Sequence, residues 1–469
     1  MPRVVIVGAG ISGLALAYRL QQRIPSATIT VLEQNTRPGG TIWTERQGGF
    51  QVEIGPNGFL DNKPATLALC RDLDLGARLQ PASEGSARNR YLFLKGKLRE
   101  LPASFGGFLR TDLLSWRGKL QLLLERFRKP RHDRVDESVD AFARRRAGPE
   151  AADVFADALV TGIHAGDPRL LSLRSTFPRL AEMEAKHGSV MKGLAITARV
   201  RRAEAATRGQ PARRANQMWS FREGLRLLVE TLHANLARPP ILGVTIQGLH
   251  REPAEDGRTT WTVRGEGTER WAADAVVLAC PAFQQAAILA DLDAELAEQI
   301  RGIAYNRIAV VALGYHRSEV PGSLDGFGYI VPQRERRDIL GAQWCSSIFP
   351  ERAPAGMVLL RVLAGGWHRA DVAGWEDDRL LHAVRAELQL AMGIEAVPRF
   401  HHIARWERAI PQYLLGHAER VAWIENRVGR YPGLFLGGNA YHGVALNDCT
   451  ERADALAACV DVFLREQGR

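Results

Sequence analysis

The chain has 469 residues, 46% of them hydrophobic and 24% charged. That is close to the globular average, which excludes disordered, collagen-like and coiled-coil classes. At about 150 residues per domain it predicts about three domains or one large discontinuous fold. Lys and Arg number 62 against 52 Asp and Glu, a formal charge of +10 that suits nucleic acid, an anionic membrane surface or acidic small molecules without choosing among them.

Val4-Val5-Ile6-Val7 is a continuous apolar run, as expected of a parallel strand buried on both faces. It runs into Gly8-Ala9-Gly10-Ile11-Ser12-Gly13 and then the helical pattern Leu14 to Leu20. In this G-x-G-x-x-G loop Gly8 permits the tight turn, Gly10 lets backbone approach a pyrophosphate, and Gly13 allows helix and strand to pack closely. A second strand, Thr28 to Leu32, ends in Glu33, twenty residues after Gly13, the spacing at which a carboxylate meets a ribose diol. Dinucleotide binding follows from strand, loop, helix and acid in this order. Arg37-Pro38-Gly39-Gly40 comes next, then a strand pair leading to Val52-Glu53-Ile54-Gly55-Pro56.

Residues 101–210 read as mainly helical and strongly basic. Within 104–130, Leu113, Leu114, Trp116, Leu120, Leu123, Leu124 and Phe127 are interspersed with Arg and Lys. Such a helix can lie in a bilayer interface, and the same stripe can equally be the buried face of a bundle. Arg199 to Arg214 carries six arginines against one glutamate and reads as a mobile or surface segment. Three strands are predicted at Ile241–Ile246, Thr260–Val263 and Ala275–Leu278, with Asp256-Gly257 as the turn between the first two. Residues 284–400 mix helices (Asp293 to Arg301, Trp375 to Met392) with strands (Arg307 to Gly314, Met357 to Ala364). Near the end, Tyr431 to Asn439 reads as turn, strand and glycine pair. Gly443 to Cys449 then leads into a helix through about Leu464, capped by Asn447 or Asp448. Its positive end would favour negative charge on a ligand.

The five cysteines stand apart without C-x-x-C, and the twelve histidines show no H-E-x-x-H. This fits a reducing compartment and argues against a disulfide framework or a metal site. His401-His402, the one adjacent pair, reads as solvated or packed. No signal peptide is visible. The most span-like stretch, Ala275 to Ala290, contains Pro281 and Gln284-Gln285 and is too short to cross a bilayer. The charge is dispersed and no reading module is present, which argues against nucleic acid.

The E-x-x-x-R-x-G-G continuation from Glu33 resembles the flavoprotein family of amine oxidases, phytoene desaturases and protoporphyrinogen oxidases. Three further segments resemble the protoporphyrinogen oxidases within it. These are Ile410-Pro411-Gln412-Tyr413 with Gly416-His417, Thr161-Gly162-Ile163-His164-Ala165-Gly166-Asp167, and Asn89-Arg90-Tyr91-Leu92. The resemblance runs from Pro2 to Gln467 and departs at two points. His164 stands where the family has Tyr or Phe, and Glu223-Gly224 replaces Gly-Gly.

The resemblance implies an α/β fold. A Rossmann-type FAD-binding domain would be assembled from 1–85, 215–283 and 405–469. An α+β substrate domain would comprise 86–100 and 284–404, and 101–214 a mainly helical, membrane-associating domain. It implies FAD held by Gly8, Ala9, Gly10, Ile11, Ser12 and Gly13, by Glu33, Gln34, Arg37, Gly39, Gly40 and Thr41, and by Gly55, Pro56, Asn57 and Gly58. Val244, Trp406, Gly438, Val444, Ala445 and Leu446 complete that set. Substrate would meet Arg90 through a propionate, Phe327, Ile330 and Leu363 through the ring faces, and the backbone at Gly162 and Gly166. On bare sequence Arg90 is a surface residue, and Phe327, Ile330 and Leu363 are core strand residues.

The implied activity is six-electron oxidation of protoporphyrinogen IX in three flavin cycles with O2 as acceptor, and no side-chain base is nominated. Peripheral attachment to the cytoplasmic side of the cell membrane and a homodimer are implied with it. A coproporphyrinogen III oxidase of the same family is the near alternative, which a more basic pocket would favour. A non-catalytic flavin-fold carrier of prenylated proteins would be expected to have lost the flavin contacts, which are present here. Amine oxidase and desaturase activities are disfavoured by the middle and C-terminal segments.

Overall fold

The computed structural model describes residues 1–468 apart from 103, 132, 134, 208–216 and 254–258. Asp256-Gly257 and part of Arg199–Arg214 therefore lie outside the described residues. A four-stranded parallel sheet is built from Leu434–Leu436, Ala275–Leu278, Arg3–Val7 and Thr28–Leu32, in that spatial order. Its strands come from distant parts of the chain, and every residue of Ala275–Leu278 is buried, as a central parallel strand requires. Helices Ile11–Arg23 and Leu446–Glu466 pack together on one face through Leu14, Ala17, Ala453, Ala457 and Val460. The other face is covered by the antiparallel sheet of Ile246–Pro253, Thr259–Gly265 and Arg270–Ala273, through Leu249, Trp261 and Val263.

A seven-stranded mixed sheet carries, in order, Phe400–Trp406, Ile308–His316, Met357–Gly365, Ile339–Trp344, Gly328–Ile330, Arg90–Leu94 and Lys97–Glu100. The short N-R-Y-L strand joins it by parallel pairing, Gly328 opposite Arg90 and Ile330 opposite Leu92. Strand Phe400–Trp406 is continuous across the boundary expected at 404/405. Between residues 105 and 207 the described elements are helical, from Phe105–Arg110 to Val190–Thr207. No helix among the described residues is long and apolar enough to cross a membrane.

Two local expectations need correcting. The strand placed at Ile241–Ile246 begins only at Ile246, and Ile241 makes a single bridge to Leu32. Gly243, at φ +73°, turns the chain between the two, so the apolar run is split by a bend. The C-terminal helix is capped by neither Asn447 nor Asp448. It starts at Leu446 with Ala445 as cap, and Asp448 at the third helical position accepts the Ala445 N–H at 3.0 Å. Asn447 is spent instead on the 60–66 loop, where it accepts from Thr66 Oγ1 at 2.5 Å and donates to Asn62 Oδ1 at 2.9 Å.

Candidate active site

The turn after the first strand is shaped to receive a diphosphate. Gly8 has φ +106° and donates to Leu32 O at 2.7 Å. A Cβ on Gly13 would stand 1.9 Å from Gly8 O, which is why only glycine lets the helix start this close to the strand. A Cβ on Gly10 would meet nothing within 4 Å, so open space lies in front of it. Helix Ile11–Arg23 has no acidic residue in its first turn and no side-chain cap. Its first N–H groups, those of Ile11, Ser12 and Gly13, are therefore left for an anion.

Glu33 is buried at the end of the second strand. Its Oε2 accepts the Ala9 N–H at 2.8 Å and its Oε1 the Asn35 N–H at 2.9 Å, so the carboxylate is fixed beside the loop while Gln34 is exposed. Val244 donates to Glu33 O at 2.9 Å, which places it next to that acid. Gly39 donates to Ala9 O at 2.8 Å, bringing the Pro-Gly-Gly turn against the first loop, and Gly40 lies within 3.5 Å of Gly10 Cα by its virtual Cβ. Arg37 stacks over Trp43 at 4.4 Å and donates to Gly40 O at 3.2 Å. Thr41 is exposed, and its carbonyl lies 1.8 Å from where a Gly55 Cβ would be, so 55–58 passes directly over this turn. Pro56 and Gly58 are half-buried there. Asn57 is buried with no hydrogen-bond partner for its Nδ2. These open donors, the orphaned amide and the glycine cradle fit a dinucleotide with a polar headgroup.

Gly438 and Leu446 approach this region from the other end of the chain, Gly438 beside the Ala279-Cys280 segment that also faces Gly8 and Leu446 in one core cluster with Ala9 and Leu14, while Val444 is half-buried. Gly438 (φ +99°) follows the last parallel strand, Leu446 is buried, and Ala445 is exposed at the head of the last helix. Trp406 donates its indole N–H to Ile54 O at 2.7 Å, tying the large sheet to the flavin-type loop. Sequence reasoning missed a second tie. Arg361, buried on the sheet, donates to Glu53 O at 2.8 Å, to Gln343 Oε1 at 2.9 Å and to Gly55 O. Below it Arg352 pairs with Glu53 at 3.1 Å, both fully buried.

Leu363 lies two residues from Arg361 on the same strand and hence on the same sheet face, half-buried beside Ala165, Trp406 and Ile410. Ile330 is half-buried and meets Gly162, whose virtual Cβ would stand 2.7 Å from Ile330 Cδ1. Helix Asp157–His164 presents exposed Leu159, Gly162 and Ile163 on this side, two of which the sequence did not single out. At the far edge the Arg90 guanidinium lies 5.0 Å over the Phe327 ring. Among the described residues Arg90 makes no ion pair or side-chain hydrogen bond, and its one side-chain partner is that ring. The structure thus brings together an apolar face and an unpaired cation.

The two signature segments of the middle and C-terminal regions interlock. Gln412 Nε2 donates to His164 O at 2.9 Å, Asn306 Nδ2 to His164 O at 2.7 Å and to Ala165 O at 3.0 Å, and Ser172 N to Tyr413 O at 2.8 Å. Ala165 is held at φ +46°, and a Cβ on Gly166 would strike Gln412 Oε1 at 2.3 Å. The family departure at His164 is absorbed in the core. The residue is 2% exposed, and its ring lies edge-on to Phe177 with no partner for Nδ1. Glu223, the other departure, pairs at the surface with Arg78, and Gly224 keeps the left-handed turn at φ +86°.

Burial pulls both His164 and His417 from 6.5 to about 4. The unfolded chain therefore takes up these protons at a pH where the folded chain does not. Stability is full above about pH 6.5, falls as pH drops toward 4 and levels below it, by about 3 kcal/mol per histidine. Urea titrations between pH 7 and 4 are expected to show this decline, and His164→Phe to remove about half of the part due to these two rings. An unchanged slope in the variant would rule out His164 as its source.

This fold and loop constellation define an FAD-dependent oxidoreductase with a Rossmann-type cofactor domain. The chain belongs to the flavin-containing amine oxidoreductase family, whose model matches residues 11–461. It is 33% identical to a human protoporphyrinogen oxidase, over 97% of this chain and 98% of that protein. It is 28% identical to a coproporphyrinogen III oxidase of Bacillus subtilis, over 98% of each. A crystal structure from Exiguobacterium sp. 255-15, assigned as a protoporphyrinogen oxidase, superposes with TM-score 0.83 at 26% identity, covering 98% of this chain and 99% of that one.

Proposed function

We propose that the protein oxidises porphyrinogens in heme biosynthesis, protoporphyrinogen IX first, in three two-electron cycles with O2 taking the electrons back. The observation that carries this reading is the pairing of unpaired Arg90 with the open apolar face of Leu159, Gly162, Ile163, Ile330 and Leu363. A flat macrocycle with two carboxylates at one edge needs that pairing. FAD, when bound, supplies the hydride acceptor. The chain's part is to orient: the guanidinium fork holds a propionate, Ile330 and Leu363 bear on the ring, and Gly162, with no Cβ, lets Ile330 seat against helix Asp157–His164. Arg361 and Trp406 keep that face in register with the loop 53–58 that meets the cofactor. The cofactor set named from the sequence and the division into 1–85, 215–283 and 405–469 against 86–100 and 284–404 belong to the same proposal, as does a homodimer.

Coproporphyrinogen III is the second reading, favoured by the full-length match to the Bacillus enzyme. One unpaired arginine beside an apolar face fits a dipropionate better than a ring with four. Turnover of the two substrates side by side, read by porphyrin fluorescence, tests both.

We also propose peripheral attachment to a membrane, on its cytoplasmic side. Leu113 and Leu114, expected in the stripe, are buried under the sheet edge with Leu92 and Leu94. Trp116 and Phe127 are 73% and 72% exposed, with Leu120 and Leu124 exposed between them at helical spacing. Helix Val190–Thr207 packs beside them and exposes Met191, Leu194, Ile196 and Val200. Arg126 and Lys119 border the aromatic rings. Trp116→Ser with Phe127→Ser is expected to lower flotation with anionic liposomes at least tenfold with turnover in detergent intact. Equal flotation of variant and parent would remove this surface.

A further inference from the structure

The head of the last helix carries a charge arrangement that the expected helix dipole does not account for. Asp448 lies in the first turn, and its carboxylate is pressed against the Gly443 turn, where a Cβ would stand 2.3 Å from Asp448 Cγ. A bare carboxylate there would cancel the positive helix end. Lys63 offsets it: Nζ lies 2.7 Å from Asp448 Oδ1 and 2.5 Å from Glu451 Oε2. The ammonium is held in place by the 60–66 loop, which is latched to the same helix. Asn447 donates to Leu60 O and Asn62 Oδ1, and Thr66 bonds both Asn447 and Thr450. The side chains of Lys63 and Asp448 are 28% and 18% exposed, so their charges are only partly screened by water.

We infer that Lys63 and Asp448 form a charge pair that sets the electron affinity of the bound flavin. This rests on the reading that Gly438 and Val444 to Leu446 face the cofactor. Reduction adds negative charge to the flavin. Lys63 then favours the reduced form and Asp448 disfavours it, so the two add no net charge at the helix end, and Glu451, 53% exposed, is the third and more water-screened member of the cluster. Neither residue is a catalytic residue; both act on the cofactor through the field.

The test uses the purified FAD-loaded protein, with midpoint potentials from dye equilibration and sulfite affinity of the oxidised flavin as the second readout. Lys63→Met is expected to shift the oxidised-to-reduced ratio about tenfold toward oxidised, which for a two-electron couple is about 30 mV lower, and to weaken sulfite binding by a similar factor. Asp448→Asn, which still accepts the Ala445 N–H, is expected to shift both tenfold the other way. The double variant is expected within about twofold of the parent. Shifts of the same sign, or none with flavin fully bound, would overturn the inference. If Asp448→Asn does not fold, a potential for Lys63→Met at or above the parent's is sufficient to overturn it. Ala445→Phe separates the underlying reading: its side chain is exposed, so the fold is kept, and undiminished FAD affinity there would show that this turn does not face the cofactor.

Discussion

Gly13→Val is expected to give a protein without bound FAD, colourless after purification and inactive. The virtual Cβ stands 1.9 Å from Gly8 O and 3.4 Å from Ile6 Cγ2. Backbone cannot give by an ångström without moving the helix away from the strand. That displacement removes the N–H groups of Ile11 to Gly13 from the phosphate position and opens the packing of Leu14 and Ala17 against Ala453 and Ala457. Overpacking alone costs about 1–3 kcal/mol, and losing the cofactor removes its binding contribution to stability as well. Flavin absorbance per protein and a thermal melt with and without added FAD read the two effects. A yellow Gly13→Val protein with the parent's melting temperature would contradict the assignment of this loop. Glu33→Ala differs in kind: it adds no clash but removes the acceptor of the Ala9 N–H, and the expected result is weaker retention of FAD.

Arg90→Ala is expected to keep its flavin and lose substrate. The guanidinium carries no carboxylate partner among the described residues and lies over Phe327, at the start of a strand paired with Gly328–Ile330. Hydrogen bonds to charged groups contribute about 1.5–3 kcal/mol, so kcat/KM is expected to fall about 10- to 100-fold. The loss should sit chiefly in KM, because a propionate is remote from the reacting carbons. Arg90→Lys retains charge without the fork and is expected to fall between parent and Ala. Full activity in Arg90→Ala would take this residue out of the site.

What was legible in the sequence is what short-range chemistry determines. The first parallel strand, the glycine loop, Glu33 and the Pro-Gly-Gly turn are contiguous, and each residue's reason lies within a few positions of it. The sheet partners of that strand, Ala275–Leu278 and Leu434–Leu436, read as strands, but their order depends on pairings across more than 150 residues. The 161–167 and 410–413 segments were visible as patterns of a family. Their mutual dependence was not, because it consists of Gln412 and Asn306 donating to the carbonyls of residues 164 and 165.

Arg361 drew no notice inside an apolar strand, since nothing local shows that its partners are the carbonyls of Glu53 and Gly55. Capping failed for a similar reason. Asn447 is a good cap by type, yet the loop bearing Thr66 claims its side chain. The stripe from Leu113 to Phe127 divided because the first two leucines precede helix Trp116–Leu123 and turn inward. In the proposed function, part of the +10 charge meets anionic lipid beside that stripe and a propionate at Arg90.

The central claim is tested most directly by aerobic turnover of the FAD-loaded protein on protoporphyrinogen IX and coproporphyrinogen III in parallel, followed by porphyrin fluorescence. The account predicts porphyrin from protoporphyrinogen IX with the higher kcat/KM, and Arg90→Ala depressed in the same assay. No fluorescence from either substrate, with flavin fully bound, would contradict it.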